Sequence, residues 1–349
     1  MNYKELLQPV RIGNWHLRTR IAMAPMTRSF ADDTTGIVGE DVVAYYKRRA
    51  QDGIGLIITE GITPSPRGKG TFGVPGLFTK EQANGWRKVT DAVHEEGGTI
   101  IAQLWHVGRL THPDLTGGLA PQAPSVVQAE GLVHRLRKPF ALPEAMTTQE
   151  IKEAVQQYAQ AAKYADEAGF DGVELHGAHG YLIDQFAWEV TNRRTDSYGE
   201  RTGRLRFMKE VLAAVGAAIG VDRVIVRFSE LKDDQPSYRW QDPEAEIEAY
   251  LKVFREEGLR VLHPSTNTFN QPLAENLTLH QLIRKRWDGN IIGVVGLTPS
   301  SAEDAIRAGI IDVAAFGKPL LANPDFVSRL RNDQPFIPYE SKIHLKELL

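Results

Sequence analysis

The chain has 349 residues, no cysteine and a formal net charge of −3, from 41 Lys+Arg against 44 Asp+Glu. That near balance supplies no basic field for nucleic acid. The missing thiols exclude disulfides, thiolate metal sites, iron–sulfur clusters and a cysteine nucleophile. Hydrophobic residues make up 42% and charged residues 24%, a globular composition that can bury a large core unaided.

Met1 to Val10 carries Lys4 and Glu5 and has no apolar centre, so it does not read as a signal peptide. Pro9 to Arg20 reads as a hairpin around Gly13-Asn14, placed to plug the bottom of a barrel. Eight short, mostly continuous apolar runs follow: Ile21–Pro25, Ile54–Thr59, Thr99–Leu104, Gly172–Leu175, Val224–Phe228, Val261–Leu262, Ile291–Val295 and Val313–Phe316. Continuous runs suit parallel strands buried on both faces.

Amphipathic stretches lie between the runs. One places Ile151, Ala154, Val155, Tyr158, Ala162 and Ala165 on a single stripe. Thr147 and Glu150 form its capping box, and Gly169 stops it. Another helix starts at Thr298-Pro299 and ends at Gly309. Val211 to Val221, the longest apolar run, is broken by glycines and too short to span a bilayer. The expectation is a cytoplasmic α/β protein with no membrane partner. Its fold is a single (β/α)8 TIM barrel with an N-terminal β-hairpin plug and a long capping insertion after the third strand. No linker divides residues 1–349, so one domain is expected, with a C-terminal tail from about residue 332.

The insertion, Trp105 to Pro143, is about forty residues rich in Pro and Gly, the kind of long connection that forms lids. It leaves the C-terminal end of a strand, where barrel active sites are built. The other strand ends carry Pro25-Met26-Thr27-Arg28, Glu60-Gly61, Gln103-Leu104-Trp105-His106, His176-Gly177-Ala178-His179-Gly180-Tyr181, Arg227 and Gly317-Lys318. All are expected to point toward one mouth.

His176 and His179 alone suit a structural role or a metal, although they lack the H-E-x-x-H pattern, and no metal is expected. With Tyr181 they can serve a carbonyl: imidazoles donating to the oxygen, a phenol supplying a proton. Tyr181 can equally pack its ring at the mouth. Arg227 sits in an apolar strand and needs an acceptor, either a carboxylate such as Glu60 or Glu174 or an anion in the mouth. Gly296, Gly317 and Lys318 follow the seventh and eighth strands, where barrels often hold phosphate.

From about Leu7 to Leu330 the sequence resembles the old yellow enzyme family of FMN-dependent ene-reductases. The resemblance rests on His176-Gly-Ala-His-Gly-Tyr-Leu-Ile-Asp-Gln-Phe186, Ala24-Pro-Met-Thr-Arg28, Gln103-Leu-Trp-His-Val-Gly-Arg109, Asn192-Arg-Arg-Thr-Asp-Ser-Tyr-Gly199 and Phe316-Gly-Lys-Pro-Leu-Leu-Ala-Asn-Pro-Asp325. It implies an FMN across the mouth, NADPH or NADH as reductant and a small activated alkene as substrate. By the same resemblance, Pro25, Met26 and Thr27 line the isoalloxazine, with the Thr27 hydroxyl on O4. Gly61 and Gln103 face the pyrimidine edge, Arg227 lies by N1 and O2, and Gly296, Gly317 and Lys318 hold the phosphate. His176 and His179 bind the substrate's activating oxygen, Tyr181 donates the proton, and Trp105 lines the substrate side. The implied kinetics are ping-pong.

Three departures stand out. Lys318 occupies a position where the family usually has Arg, and a point charge cannot grip phosphate bidentately. Glu200-Arg-Thr-Gly-Arg204 is shorter than the family's usual form. His263-Pro-Ser-Thr-Asn-Thr-Phe-Asn270 matches no family pattern and reads either as a substrate contact or as a polar loop. No cysteine stands near Thr27, which places the chain with the threonine-bearing branch. Two other readings use the same residues: a flavin reductase for nitro compounds, nitrate esters or quinones, and a flavin-free barrel for a phosphorylated ligand. The second leaves Thr27, Gln103, Arg227 and Tyr181 unexplained.

Overall fold

The computed structural model describes residues 3–199 and 203–349. Much of the shortened segment after Gly199, Glu200 to Thr202, lies outside the described residues. A hairpin of β1 (Val10–Ile12) and β2 (Trp15–Leu17) precedes the barrel. The barrel strands are β3 (Ile21–Met23), β4 (Leu56–Ile62) and β5 (Ile100–Leu104). After the short parallel pair β6 (Gln122–Ala123) and β7 (Glu144–Ala145) come β8 (Gly172–His179), β9 (Val224–Lys232) and β10 (Val261–Ser265). A small antiparallel pair, β11 (Pro272–Ala274) and β12 (Leu277–Thr278), leads to β13 (Asn290–Gly293) and β14 (Val313–Phe316). The eight parallel strands close in chain order, each hydrogen-bonded to the next and β14 to β3.

Helices cover the outside because their stripes demand it. The helix Thr148–Glu167 starts at the Thr147–Glu150 capping box, and Gly169 follows it at φ +88°. Pro299–Arg307 is capped by Thr298 and Ser301, with Gly309 just beyond at φ +69°. Their buried faces join one large apolar cluster between helices and barrel.

A second cluster fills the lower barrel. Ala22, Leu56, Ile58, Ile101, Ile225, Val261, Ile292 and Val313 meet Ile12, Trp15 and Leu17 of the hairpin there. Trp15 Nε1 donates to the Asp171 carbonyl at 3.1 Å, and the Gly13 amide donates to Asn290 Oδ1 at 3.0 Å. A Cβ on Gly172 would lie 2.7 Å from the Trp15 ring. The hairpin therefore seals the N-terminal end, leaving the mouth as the functional face.

The capping insertion has no α-helix of its own, only a 3₁₀ turn at Pro113–Leu115 and β6. Arg109 pins it. The guanidinium pairs with Asp234, both side chains being fully buried, and it also donates to the Val127 and Gln128 carbonyls at 3.1 Å each. The C-terminal tail is held as well: Arg28 donates to the His344 and Glu347 carbonyls at 2.7 Å each. Among the described residues no helix is long and apolar enough to cross a membrane.

Candidate active site

The mouth divides into two cavities. One of about 450 Å³ is lined by Pro25, Met26, Arg227, Gly296, Gly317 and Lys318, among others. The other, about 700 Å³, lies under the cap and is bordered by Thr27, Trp105, Leu132, Phe140, Tyr181 and Asp233. Thr27 follows Pro25 and Met26 directly, so the strand-end loop after β3 stands between the two.

Strand register builds the wall below. Gln103 pairs with Glu174, and Arg227 pairs with both His176 and His263, so these polar residues share the inner face. Gln103 Nε2 donates to Glu174 Oε1 at 2.8 Å, and His263 Nδ1 lies 2.6 Å from Glu174 Oε2. Burial holds His263 below its usual pKa despite Glu174, so a neutral imidazole N–H donates to the carboxylate. With Glu174 held by Gln103 and His263, Arg227 keeps only a 3.2 Å bond to Ser265 Oγ, and its Nε is buried without a partner. No carboxylate lies within 4 Å of Arg227 among the described residues. The ion-pair explanation of this buried cation is therefore set aside.

The rim is built by β8 and the turn after it. His176 and His179 stand with ring centroids 5.4 Å apart, and the Tyr181 ring is 4.7 Å from His176. Burial holds both imidazoles well below their usual pKa, helped for His176 by His179 and Arg227 and for His179 by Arg227 and Lys232. Each is neutral near pH 7 and carries one N–H donor. His179 Nε2 lies 2.9 Å from Ser265 Oγ, and its amide donates to Ser229 Oγ at 2.9 Å. Trp105 meets Tyr181 edge to face at 5.2 Å. Gly61 makes room for that indole, since a Cβ there would come within 2.4 Å of it.

His179 adopts φ +62° and Gly180 φ +79°. A left-handed histidine costs conformational energy and persists only where its surroundings fix it. Asp184 does the fixing. It accepts from the Gly180 amide at 2.7 Å and pairs with Lys232 at 2.7 Å, both side chains being buried. Gln185 then ties the turn to the cap, donating to the Val107 and Gly180 carbonyls at 3.0 and 2.6 Å. Asp184→Ala strands the Lys232 ammonium and is expected to cost roughly 3–5 kcal/mol of stability, measured by urea unfolding.

Not every strand-end residue reaches the mouth. Arg28 turns back to the C-terminal tail, as above, and stacks over Tyr45 at 5.0 Å. Glu60 accepts from the Arg28 and Ser29 amides at 2.9 Å each, fixing the loop that carries Thr27, and burial raises its pKa to about 7. His106 is buried and pushed down to about 3 by desolvation, and its Nδ1 accepts from the Gly108 amide. These three serve structure. The polar stretch His263–Asn270 also needs correcting: His263 to Ser265 belong to β10 inside the barrel, and only the residues after them form a loop.

The chain matches the model of the NADH:flavin oxidoreductase / NADH oxidase family over residues 5–336. It belongs to that family. This flavin oxidoreductase is 38% identical to the probable flavin mononucleotide-dependent alkene reductase of Leishmania infantum, across 93% of this chain and 89% of the relative. The structure of the old yellow enzyme homologue from Zymomonas mobilis superimposes with a TM-score of 0.88 at 34% identity, covering 96% and 94% of the two chains. Morphinone reductase in complex with tetrahydroNAD does so with a TM-score of 0.87 at 35% identity, covering 97% and 93%.

Sequence reasoning missed Asp233, Ser265 and the Glu174–His263 contact. Tyr181 donates its hydroxyl to Asp233 Oδ2 at 2.9 Å, and Asp233 Oδ1 lies 3.8 Å from His179 Nδ1. The only local signal was the doubled acid Asp233-Asp234 just past an apolar strand.

Proposed function

We propose that this flavin oxidoreductase is an FMN-dependent, NAD(P)H-driven ene-reductase acting on alkenes activated by a carbonyl or nitro group. One observation carries the reading: two neutral imidazoles pack against a phenol that lines the larger cavity, beside a separate trough lined by a buried arginine with no carboxylate within 4 Å among the described residues.

The trough suits FMN. Arg227 has no carboxylate within 4 Å among the described residues, only the longer-range attraction of Glu174 and Asp233, and a buried cation calls for a closer anion. A Cβ on Gly317 would crowd Met26 Sδ at 2.9 Å, so glycine leaves the trough wall open there. Val295 and Gly296 are both left-handed, at φ +73° and +74°, so the loop turns sharply at the cavity wall. In this reading Pro25, Met26 and Thr27 line the isoalloxazine, with Thr27 on O4. Gly61 and Gln103 face the pyrimidine edge; the Gln103 amide already gives one N–H to Glu174 and keeps its carbonyl and second N–H. Arg227 would stand by N1 and O2, where a fixed cation favours the reduced state. Gly296, Gly317 and Lys318 would hold the phosphate. When bound, FMN supplies hydride chemistry at N5.

The chain's own groups do the rest. His176 and His179 donate to the activating oxygen and stabilise the charge that develops there. Tyr181 places a proton on the α-carbon. Trp105 and the cap, which line the larger cavity, would hold the alkene beside the bound flavin. The lack of cysteine supports a cytoplasmic setting.

An anaerobic visible titration tests the reading. NADPH is expected to bleach the flavin bands, and a cyclic enone to restore them. Bleaching without recovery would move the substrate to nitro compounds, nitrate esters or quinones. A protein that binds no FMN would sink the proposal. Lys318→Ala is expected to weaken FMN binding by about 1 kcal/mol, because the ammonium is exposed and works as a point charge; flavin fluorescence on release measures it.

A further inference from the structure

We propose that Asp233 is a positioning residue that returns a proton to Tyr181, connecting the phenol to solvent. The inference rests on Tyr181 as the proton donor and adds the route by which that donor is recharged.

The geometry supplies both ends of the route. The Tyr181 hydroxyl meets Asp233 Oδ2 at 2.9 Å, while the Asp233 side chain keeps 44% of its surface open. The Tyr181 ring is half-buried against Trp105, His176 and His179. Both residues line the larger cavity, and Asp233 is the exposed one of the pair.

The charges around Asp233 come from several elements. Tyr181 and His179 face it from β8 and its turn, Asp184 from the following helix, and Arg227 from β9. Lys232 and Asp234 flank it in the chain, but Lys232 is committed to Asp184 and Asp234 to Arg109. Glu130 and His134 of the cap line the same cavity. Desolvation is the strongest influence and raises the carboxyl's pKa, against the pull of Tyr181 and Arg227. Asp233 itself, through its charge and hydrogen bond, raises the phenol's pKa after burial has done so.

Charge decides which form of Asp233 can serve the relay. If Asp233 is ionised, transfer from Tyr181 leaves a phenolate against a carboxylate, two like charges in contact. If Asp233 is protonated, the Tyr181 O–H bond breaks as the α-carbon–hydrogen bond forms on the electron pair of the reduced alkene. The Asp233 O–H bond then breaks and the Tyr181 O–H re-forms. The carboxylate left behind takes its proton from water at the open edge. The proton count balances, and no redox change occurs in the relay.

The test uses the flavin-loaded enzyme and reads the two half-reactions separately between about pH 5 and pH 9. Wild-type alkene reduction is expected to slow with rising pH, approaching about tenfold per unit above the Asp233 titration. Flavin reduction by NADPH is expected not to follow that slope. Asp233→Asn should abolish the slope, and Asp233→Glu should restore it. A second readout is independent of turnover: with ζ-¹³C-tyrosine label, and Tyr181→Phe to assign the resonance, the Tyr181 phenol should ionise at lower pH in Asp233→Asn. An unchanged slope together with an unchanged phenol titration in Asp233→Asn would overturn the relay while leaving Tyr181 as donor. Fast alkene reduction by Tyr181→Phe would overturn the donor assignment and the relay together.

Discussion

Tyr181→Phe is expected to slow alkene reduction by about 10²- to 10⁴-fold while barely changing flavin reduction by NAD(P)H. The substitution removes one oxygen and keeps the ring, so the edge-to-face contacts with Trp105 and His176 survive. Only the step that needs a proton at carbon loses its donor. Stopped-flow traces of the two half-reactions, recorded anaerobically, separate the outcomes. Equal slowing of both would mean that Tyr181 shapes the site rather than donating the proton.

His176→Ala is expected to cost about 10²- to 10³-fold in alkene reduction, the usual loss when a donor to a developing oxyanion is removed. Protonation state makes His176 a hydrogen-bond donor rather than a fixed charge. Burial keeps His176 neutral, and its Nδ1 is buried without a protein partner, so the ring is not committed to holding the fold. The same substitution should weaken binding of phenols and enones to the oxidised enzyme, read from the flavin spectrum. Unchanged affinity would remove His176 from the oxygen site. His179 is less freely tested, because its left-handed backbone and its contact with Ser265 make any replacement structural as well.

The barrel was legible because parallel strands covered on both faces leave continuous apolar runs, and all eight runs became barrel strands. Their ends were read less well. β4 continues through Glu60 and Gly61 to Ile62, β8 continues to His179, and β9 to Lys232. Polar residues look like strand ends in a sequence, yet at a barrel mouth they keep the ladder while turning their side chains inward. The seventh run erred the other way: β13 stops at Gly293, and Val295 enters the left-handed region despite its branched side chain. Local pattern favours a strand there, and the loop's tertiary contacts override it.

The rim triad was legible because its three residues lie within one short segment. Its supports were not. Ser265 reaches His179 across 86 positions, His263 reaches Glu174 across 89, and Asp233 reaches Tyr181 across 52. No periodicity or motif encodes such meetings; only barrel closure brings them together. Arg28, Glu60 and His106 show the converse. Placement after a strand suggested the mouth, but each found a backbone partner elsewhere.

The way the cap is fastened bears on how such an enzyme diversifies. Arg109 ties the cap's root to the barrel through Asp234, and Gln185 ties it to the turn carrying the rim. Its outer residues are more open: Val126, Leu132 and Leu142 are exposed, while Leu132 and Phe140 also border the cavity. In the proposed reading, reactivity and selectivity occupy separable parts of one chain. On that reading, exchange of the exposed cap residues is expected to retune which alkenes enter without disturbing the groups that reduce them, making the cap a module on which selection, natural or in the laboratory, can act.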